Sequence, residues 1–159
     1  MARSRKVVKK RTIEPDALYN SRLVTRFVHR IMRDGKKSVA QKQLYNAFAI
    51  IKAKGEDPLK VFENAVNLAS PRMEVRPRRV GGASYQVPTE VRGDRKFALA
   101  TRWIIDAASK RSNKEYHTFA EKLAQEFTDI LQNQGDAIRK RNAVQKQAEA
   151  NRAFAHLRW

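Results

Sequence analysis

The sequence predicts a mainly α fold, a single six-helix domain with a β-hairpin arm inserted between the third and fourth helices and a basic N-terminal tail. Three observations carry that reading. Apolar residues recur at three- and four-residue steps through six windows, the spacing that lines one face of a helix. Residues 73–92, MEVRPRRVGGASYQVPTEVR, alone keep a two-residue rhythm. The chain also holds 34 Lys and Arg against 16 Asp and Glu, a formal charge of +18.

Residues 1–12 carry six basic and no acidic groups and no sustained apolar period, so they read as a disordered basic arm ahead of a domain over 13–159. In the first helix Leu23, Val24, Phe27, Val28, Ile31 and Met32 recur at helical spacing, with Asn20 or Ser21 as N-cap and Gly35 as the stop. Arg22, Arg26 and Arg30 follow on another face at four-residue steps, one turn of ~5.4 Å apart and close to the spacing of neighbouring phosphates. An all-cationic row destabilises a helix unless something neutralises it, which favours phosphate contact over a merely solvated face. Ser38 with Gln41 makes a capping box for the second helix, whose Ala40, Leu44, Ala47, Phe48 and Ile51 face inward before Gly55 ends it. Asp57 caps the third helix with Pro58 in its first turn; Leu59, Phe62, Ala65, Val66 and Ala69 face the core, and Pro71 closes it.

In the hairpin, Met73 and Val75 alternate with Glu74, Arg76 and Arg78, and beyond Gly81-Gly82 the residues Tyr85, Val87, Thr89 and Val91 alternate with Gln86, Pro88, Glu90 and Arg92. The glycine pair permits the positive φ of a tight reversal, and Pro77 and Pro88, lacking an N–H, suit exposed edges. An isolated two-stranded hairpin is marginal in water. The Met73/Val75/Tyr85/Val87/Val91 face is therefore expected to pack on helices or to be ordered by a partner, with Arg76 and Arg78 on the opposite face and Arg79 near the tip.

Asp94 caps the fourth helix, where Phe97, Leu99, Ala100, Trp103, Ile104, Ile105 and Ala108 occupy most of the circumference and place it near the centre. Arg92, Arg95, Lys96 and Arg102, near its start, are candidates to meet phosphate. Ser112 or Asn113 opens the fifth helix, with Tyr116, Phe119, Ala120, Leu123, Phe127 and Ile130 inward and Gly135 as stop. The sixth begins at Asp136; its apolar content is thin, and Arg139, Lys140 and Arg141 make it more surface than core. The closing EANRAFAHLRW interleaves Phe154, His156 and Trp159 with Arg152 and Arg158, a pattern suited to stacking on unpaired bases or to docking on its own protein.

At 159 residues and 42% hydrophobic content the chain can bury one core. A charge of +18 exceeds what solubility requires and implies an acidic partner. No stretch approaches the ~20 apolar residues of a membrane span, and a core consumes the apolar helical faces, so nucleic acid is favoured over a membrane surface or an acidic protein. The absence of cysteine leaves neither a disulfide framework nor a thiolate metal site, and the basic N-terminus has no apolar run, which fits a reducing intracellular compartment. Residues 97–135 balance five basic against five acidic groups, so the surplus sits on the two ends, the first half and the hairpin, and the fourth and fifth helices read as scaffold.

His29, His117 and His156 have no second ligand at metal spacing, and neither HExxH nor a Gly-rich phosphate loop is present. Asp94, Asp106 and Asp129 lack the local pairing of acid–base work. No catalytic residue, metal or cofactor is expected.

DGKKS at 34–38, RRVGGASYQVP at 78–88, LATRW at 99–103 and above all AEANRAFAHLRW at 148–159 closely resemble small-subunit ribosomal protein seven, bacterial type. The resemblance covers essentially the whole chain, with length and motif order matching. Ser84 stands where that family has Asn, Leu157 where an aromatic is usual and Lys96 where Arg is common. The family implies a six-helix, hairpin-bearing domain that binds a multihelix junction in the 3′ domain of the small-subunit rRNA and nucleates assembly of the subunit head. Carried onto matching positions, the rRNA contacts would come from Arg3, Arg5, Lys6, Lys9 and Lys10 of the arm, from Arg22, Arg26, Lys36 and Lys37, and from Arg76, Arg78, Arg79, Arg95 and Arg102. The hairpin tip (Gly81, Gly82, Ala83 and Ser84) and the C-terminal helix (Arg139, Lys140 and Arg141) would face the exit-site tRNA and the departing mRNA, near small-subunit ribosomal proteins nine and eleven. The implied location is the cytoplasmic ribosome of a bacterium, or the ribosome of an organelle of bacterial descent, with no membrane and no cofactor.

The rival binding reading is an architectural DNA-bending protein, since a helical body with a proline-bearing ribbon is the shape that wedges a minor groove. Pro77 and Pro88 lie away from the Gly81-Gly82 tip where a wedge has to insert, which counts against it. An RNA-modifying or RNA-cleaving enzyme lacks any cofactor loop or nucleophile here.

Overall fold

The computed structural model describes residues 12–157 and orders them as α1 (Arg22–Ile31), α2 (Lys37–Ala53), α3 (Pro58–Ala69), β1 (Met73–Val80), β2 (Ala83–Glu90), α4 (Gly93–Lys110), α5 (Phe119–Leu131), α6 (Asp136–Ala150) and a 3-10 turn over Arg152–Leu157. This is the mainly α architecture, with the hairpin between the third and fourth helices, that the periodicities predict. The proposed arm contacts Arg3, Arg5, Lys6, Lys9 and Lys10, and Arg158 and Trp159 of the tail, lie outside the described residues.

Phe27 of α1, Phe48 of α2, Phe62 of α3 and Phe127 of α5 are all fully buried and meet at the centre. Phe62 is the shared partner, with ring centroids 5.2 Å from Phe27 and 5.9 Å from both Phe48 and Phe127. Edges meet faces at these contacts, the arrangement ring quadrupoles favour, and each such pair contributes about 0.5–1.5 kcal/mol beyond area burial. Around this hub α5 packs on α2, α3 and α4, while α4 packs on α1, α3, α5 and α6, as its near-complete apolar circumference requires.

The helix starts agree with the sequence reading in part. Asp57 accepts from Leu59 N at 3.1 Å and Pro58 opens α3, as expected. Ser21 stands at the N-cap of α1 without a side-chain bond, and α2 begins one residue ahead of Ser38, with Lys36 at the N-cap and no capping bond. Asp94 is not the cap of α4 either; Arg92 holds that place, and the Asp94 carboxylate pairs with Arg26 instead. The fifth helix starts at Phe119, not at Ser112 or Asn113. Thr118 and Glu121 form a reciprocal capping box there, and Tyr116, whose position continues the apolar period, lies in the preceding loop under the Arg111 guanidinium, 5.8 Å from its ring centroid.

The hairpin departs most from expectation. Gly81 and Gly82, both at positive φ (57° and 90°), make a two-residue turn that pairs Val80 with Ala83. Across such a turn odd positions of β1 face even positions of β2, so Tyr85 and Val87 share a face with Arg78 and Arg76, while Met73 and Val75 share the other with Glu90 and Pro88. The apolar stripe read from the sequence is split between two faces, and Arg76 and Arg78 are not opposite it. What docks is Val87, Pro88 and Val91, together with Glu74, whereas Met73 is exposed. The docked base lies against α6, and the 3-10 turn lies against β2, where Phe154 packs on Tyr85 with centroids 5.4 Å apart. Phe154 therefore docks on its own protein.

Candidate nucleic-acid interface

One run of charge contacts joins three elements that the sequence keeps far apart. Arg26 of α1 reaches Asp94 in the first turn of α4 at 3.2 Å, and its guanidinium lies 4.5 Å over the Phe97 ring. The next residue, Arg95, donates Nε to Glu74 Oε2 at 3.1 Å, and Arg76 donates Nε to Glu74 Oε1 at 2.7 Å. The ionic chain Arg26–Asp94, then Arg95–Glu74–Arg76, thus stitches α1, the start of α4 and the hairpin base into one band. Beside it a cleft of about 580 Å³ is lined by Leu23, Arg26, Arg72, Asp94, Lys96 and Phe97.

Glu74 is the residue that sequence reasoning missed. It is 6% exposed, while the side chains of Arg76 and Arg95 stay half open, at 53% and 50%. Burial works to raise its carboxyl, but hydrogen bonds and charge from Arg76 and Arg95 outweigh that and hold it below the ordinary carboxylate value. Alternation alone assigns an acid beside Met73 and Val75 to solvent; only the pairing register could have turned it inward.

Of the other candidates, Arg22 is exposed at the first position of α1. Lys36 and Lys37 are exposed at the start of α2; Lys36 borders a second cleft of about 470 Å³ with Arg33, Val39, Ile105 and His117. Arg102 is exposed on α4, and Arg78 and Arg79 are exposed on β1 opposite Tyr85 and Ser84. Gly81, Gly82, Ala83 and Ser84 form the exposed tip.

On α6 the three basic residues separate. Arg139 is exposed and lies 3.3 Å from Asp136, and Lys140 is exposed. Arg141 is turned inward: its Nη1 donates at 2.6 Å to the Leu68 carbonyl in the last turn of α3, where a cation meets unsatisfied helix carbonyls. Among the described residues no hydrogen bond or ion pair connects these three to the band.

Two further polar centres serve the fold. Arg111 donates Nε to Glu126 at 2.9 Å and also pairs with Asp129, while Lys122 donates Nζ to the Arg111 carbonyl at 2.7 Å, so the charges of α4 and α5 answer one another. Gly135, at φ +90°, turns the chain into α6 so close to this centre that a Cβ there would lie 2.9 Å from Glu126 Oε1. Near the first described residues, buried Asp16 accepts from Leu18 N, Tyr19 N and the Tyr45 hydroxyl, the last at 2.8 Å, and fastens the segment before α1 to α2. Burial, then the bond to Asp16, pushes the Tyr45 phenol up to about 12.

Comparison with known proteins follows the same lines. A family model described as ribosomal protein S7p/S5e matches residues 3–152. Proteins named small ribosomal subunit protein uS7 match nearly end to end: the chain is 52% identical to that of Caldicellulosiruptor bescii over 153 residues, 96% of both chains. It is 53% identical to that of Thermodesulfovibrio yellowstonii over 153 residues, again 96% of both, and 53% identical to that of Myxococcus xanthus over 156 residues, 98% of both. With a hairpin between the third and fourth of six α-helices and a match along nearly its whole length, the chain belongs to the ribosomal protein S7p/S5e family.

Proposed function

We propose that this chain binds the 3′ domain of the small-subunit rRNA through the band formed by α1, the start of α4 and the hairpin base, and nucleates assembly of the subunit head. Its coarse role follows from its family: it is a structural, non-enzymatic component of the small ribosomal subunit. The finer reading rests on one observation, the ionic chain from Arg26 to Arg76, which gathers on a single surface basic residues that the sequence supplies from separate elements. In this reading the exposed cations Arg22, Lys36, Lys37, Arg78, Arg79 and Arg102 make further contacts with the RNA, and Arg3, Arg5, Lys6, Lys9 and Lys10 add charge from the arm. In this reading the tip, Gly81 to Ser84, and the exposed Arg139 and Lys140 face exit-site tRNA and mRNA, beside ribosomal proteins nine and eleven. Arg141, engaged with α3, contributes to holding α6 in place.

The test is competition. A 3′-domain rRNA fragment carrying the multihelix junction should be retained when duplex DNA of equal length is added in excess, and equal displacement by the DNA would favour the DNA-bending reading. The tip is tested apart from the band. Subunits reconstituted with a tip shortened around Gly81-Gly82 should assemble their heads yet change exit-site tRNA occupancy; loss of head assembly by a folded protein would make the tip a primary rRNA anchor.

A further inference from the structure

We infer that Glu74, an acid, is a positioning residue for RNA binding: it fixes Arg76 and Arg95 as a fork whose outer edges meet backbone phosphates. The inference rests on the rRNA-binding reading above. Each arginine gives the same edge to the carboxylate. Arg76 places Nε and Nη2 both 2.7 Å from Oε1, and Arg95 places Nε and Nη2 both 3.1 Å from Oε2. A guanidinium used this way keeps both N–H groups of Nη1 and one of Nη2, the opposite edge of the fork and the one with the geometry for bidentate phosphate contact.

The arginines come from different elements, β1 and the first turn of α4, so a single carboxylate sets the relation between hairpin and body as well as the rotamers of both side chains. Long flexible side chains lose conformational freedom on binding, and a fork already held in place loses less. Burial of Glu74 beneath half-exposed arginines keeps its negative charge away from the partner while the cationic edges remain outside. An acid in a binding surface of a +18 chain is otherwise a handicap against a polyanion, and here that handicap makes the inference testable by sign.

Glu74→Gln and Glu90→Gln change the charge of the hairpin equally. Glu90 is exposed and paired with Met73 on the other face. If charge alone matters, both variants bind the 3′-domain rRNA fragment as tightly as the intact protein or tighter. Positioning predicts that Glu74→Gln binds roughly tenfold more weakly than Glu90→Gln, the size expected from re-ordering two long side chains. Equal affinity of the two variants overturns the inference, and a lowered melting temperature with equal affinity reduces Glu74 to a brace of the fold.

Should Glu74→Gln not fold, a cycle of Arg76→Lys, Arg95→Lys and the double variant decides the matter at constant charge. Sharing one carboxylate, the two losses of affinity should be non-additive, and additive losses overturn the inference. Failure of the intact protein to bind the fragment would instead remove the rRNA-binding reading itself.

Discussion

At the hairpin base a buried carboxylate holds two arginines whose side chains stay half exposed; at the corner of α4 and α5 a buried carboxylate holds an arginine that is itself mostly enclosed. The chemistry is the same. Arg76 and Arg95 leave 53% and 50% of their side chains exposed above Glu74, whereas Arg111 leaves 18% exposed against 1% for Glu126. In the first place positive charge is displayed, and in the second it is consumed in holding α4, α5 and the start of α6 together. Within residues 97–135 part of the charge balance is structural: Arg111 is answered by Glu126 and Asp129, and Lys122 by the Arg111 carbonyl and Asn113. Counting charges locates a surplus. Which member of each pair reaches water decides whether a partner can use it.

The largest expected effect breaks the enclosed member. Arg111→Met leaves Glu126 in the interior with the Ala137 N–H, 3.4 Å away, as its remaining donor among the described residues. Removing one partner of a buried ion pair costs about 3–5 kcal/mol, because the other charge stays desolvated. Urea denaturation should show a fall of that size, while protein that remains folded in the cold binds the rRNA fragment with unchanged affinity. Lost affinity at unchanged stability would erase the distinction between the two sites.

The elements were legible because apolar periodicity is a property of short windows, and Phe27, Phe48, Phe62 and Phe127 each sit on the stripe their own helix displays. The hairpin was legible as a hairpin but not in its faces. Register is set by the turn, and a two-residue loop at Gly81-Gly82 reverses the parity that a flat reading of alternation assumes. Asp57 caps α3 as its local chemistry suggests, whereas Asp94 is engaged by Arg26 from another helix and Arg92 holds the N-cap of α4. The Thr118/Glu121 box was present in the sequence, but the apolar period running back through Tyr116 hid it. The resemblance names Arg26, Arg76 and Arg95 as candidates, but the acids that join them were not legible: Glu74 and Asp94 engage them across α1, the hairpin and α4, and no local window shows such pairing.

The smaller effects compare two arginines one turn apart on α1, and they sharpen the contrast between charge that is displayed and charge that is used. Arg26 has work in the fold: it covers the Phe97 ring and pairs with Asp94, contacts that contribute about 1 kcal/mol together when a cation–π contact of 0.5–1 kcal/mol is joined to a partly exposed ion pair. Arg26→Ala should therefore lower both stability and rRNA affinity. Arg22 is exposed at the first helical position, and no hydrogen bond, ion pair or ring contact engages it among the described residues. A cation there also sits at the positive end of the helix dipole, the less favourable end for it. Arg22→Ala should thus move stability by less than ~0.5 kcal/mol, in either direction, while weakening binding and reducing the slope of log affinity against log salt by about 0.7–0.9, the share of one phosphate contact. Thermal melts and binding isotherms of the two variants across a salt series read both quantities. An Arg22→Ala protein with an unchanged salt slope would confine the interface to α4 and the hairpin base and remove the start of α1 from it.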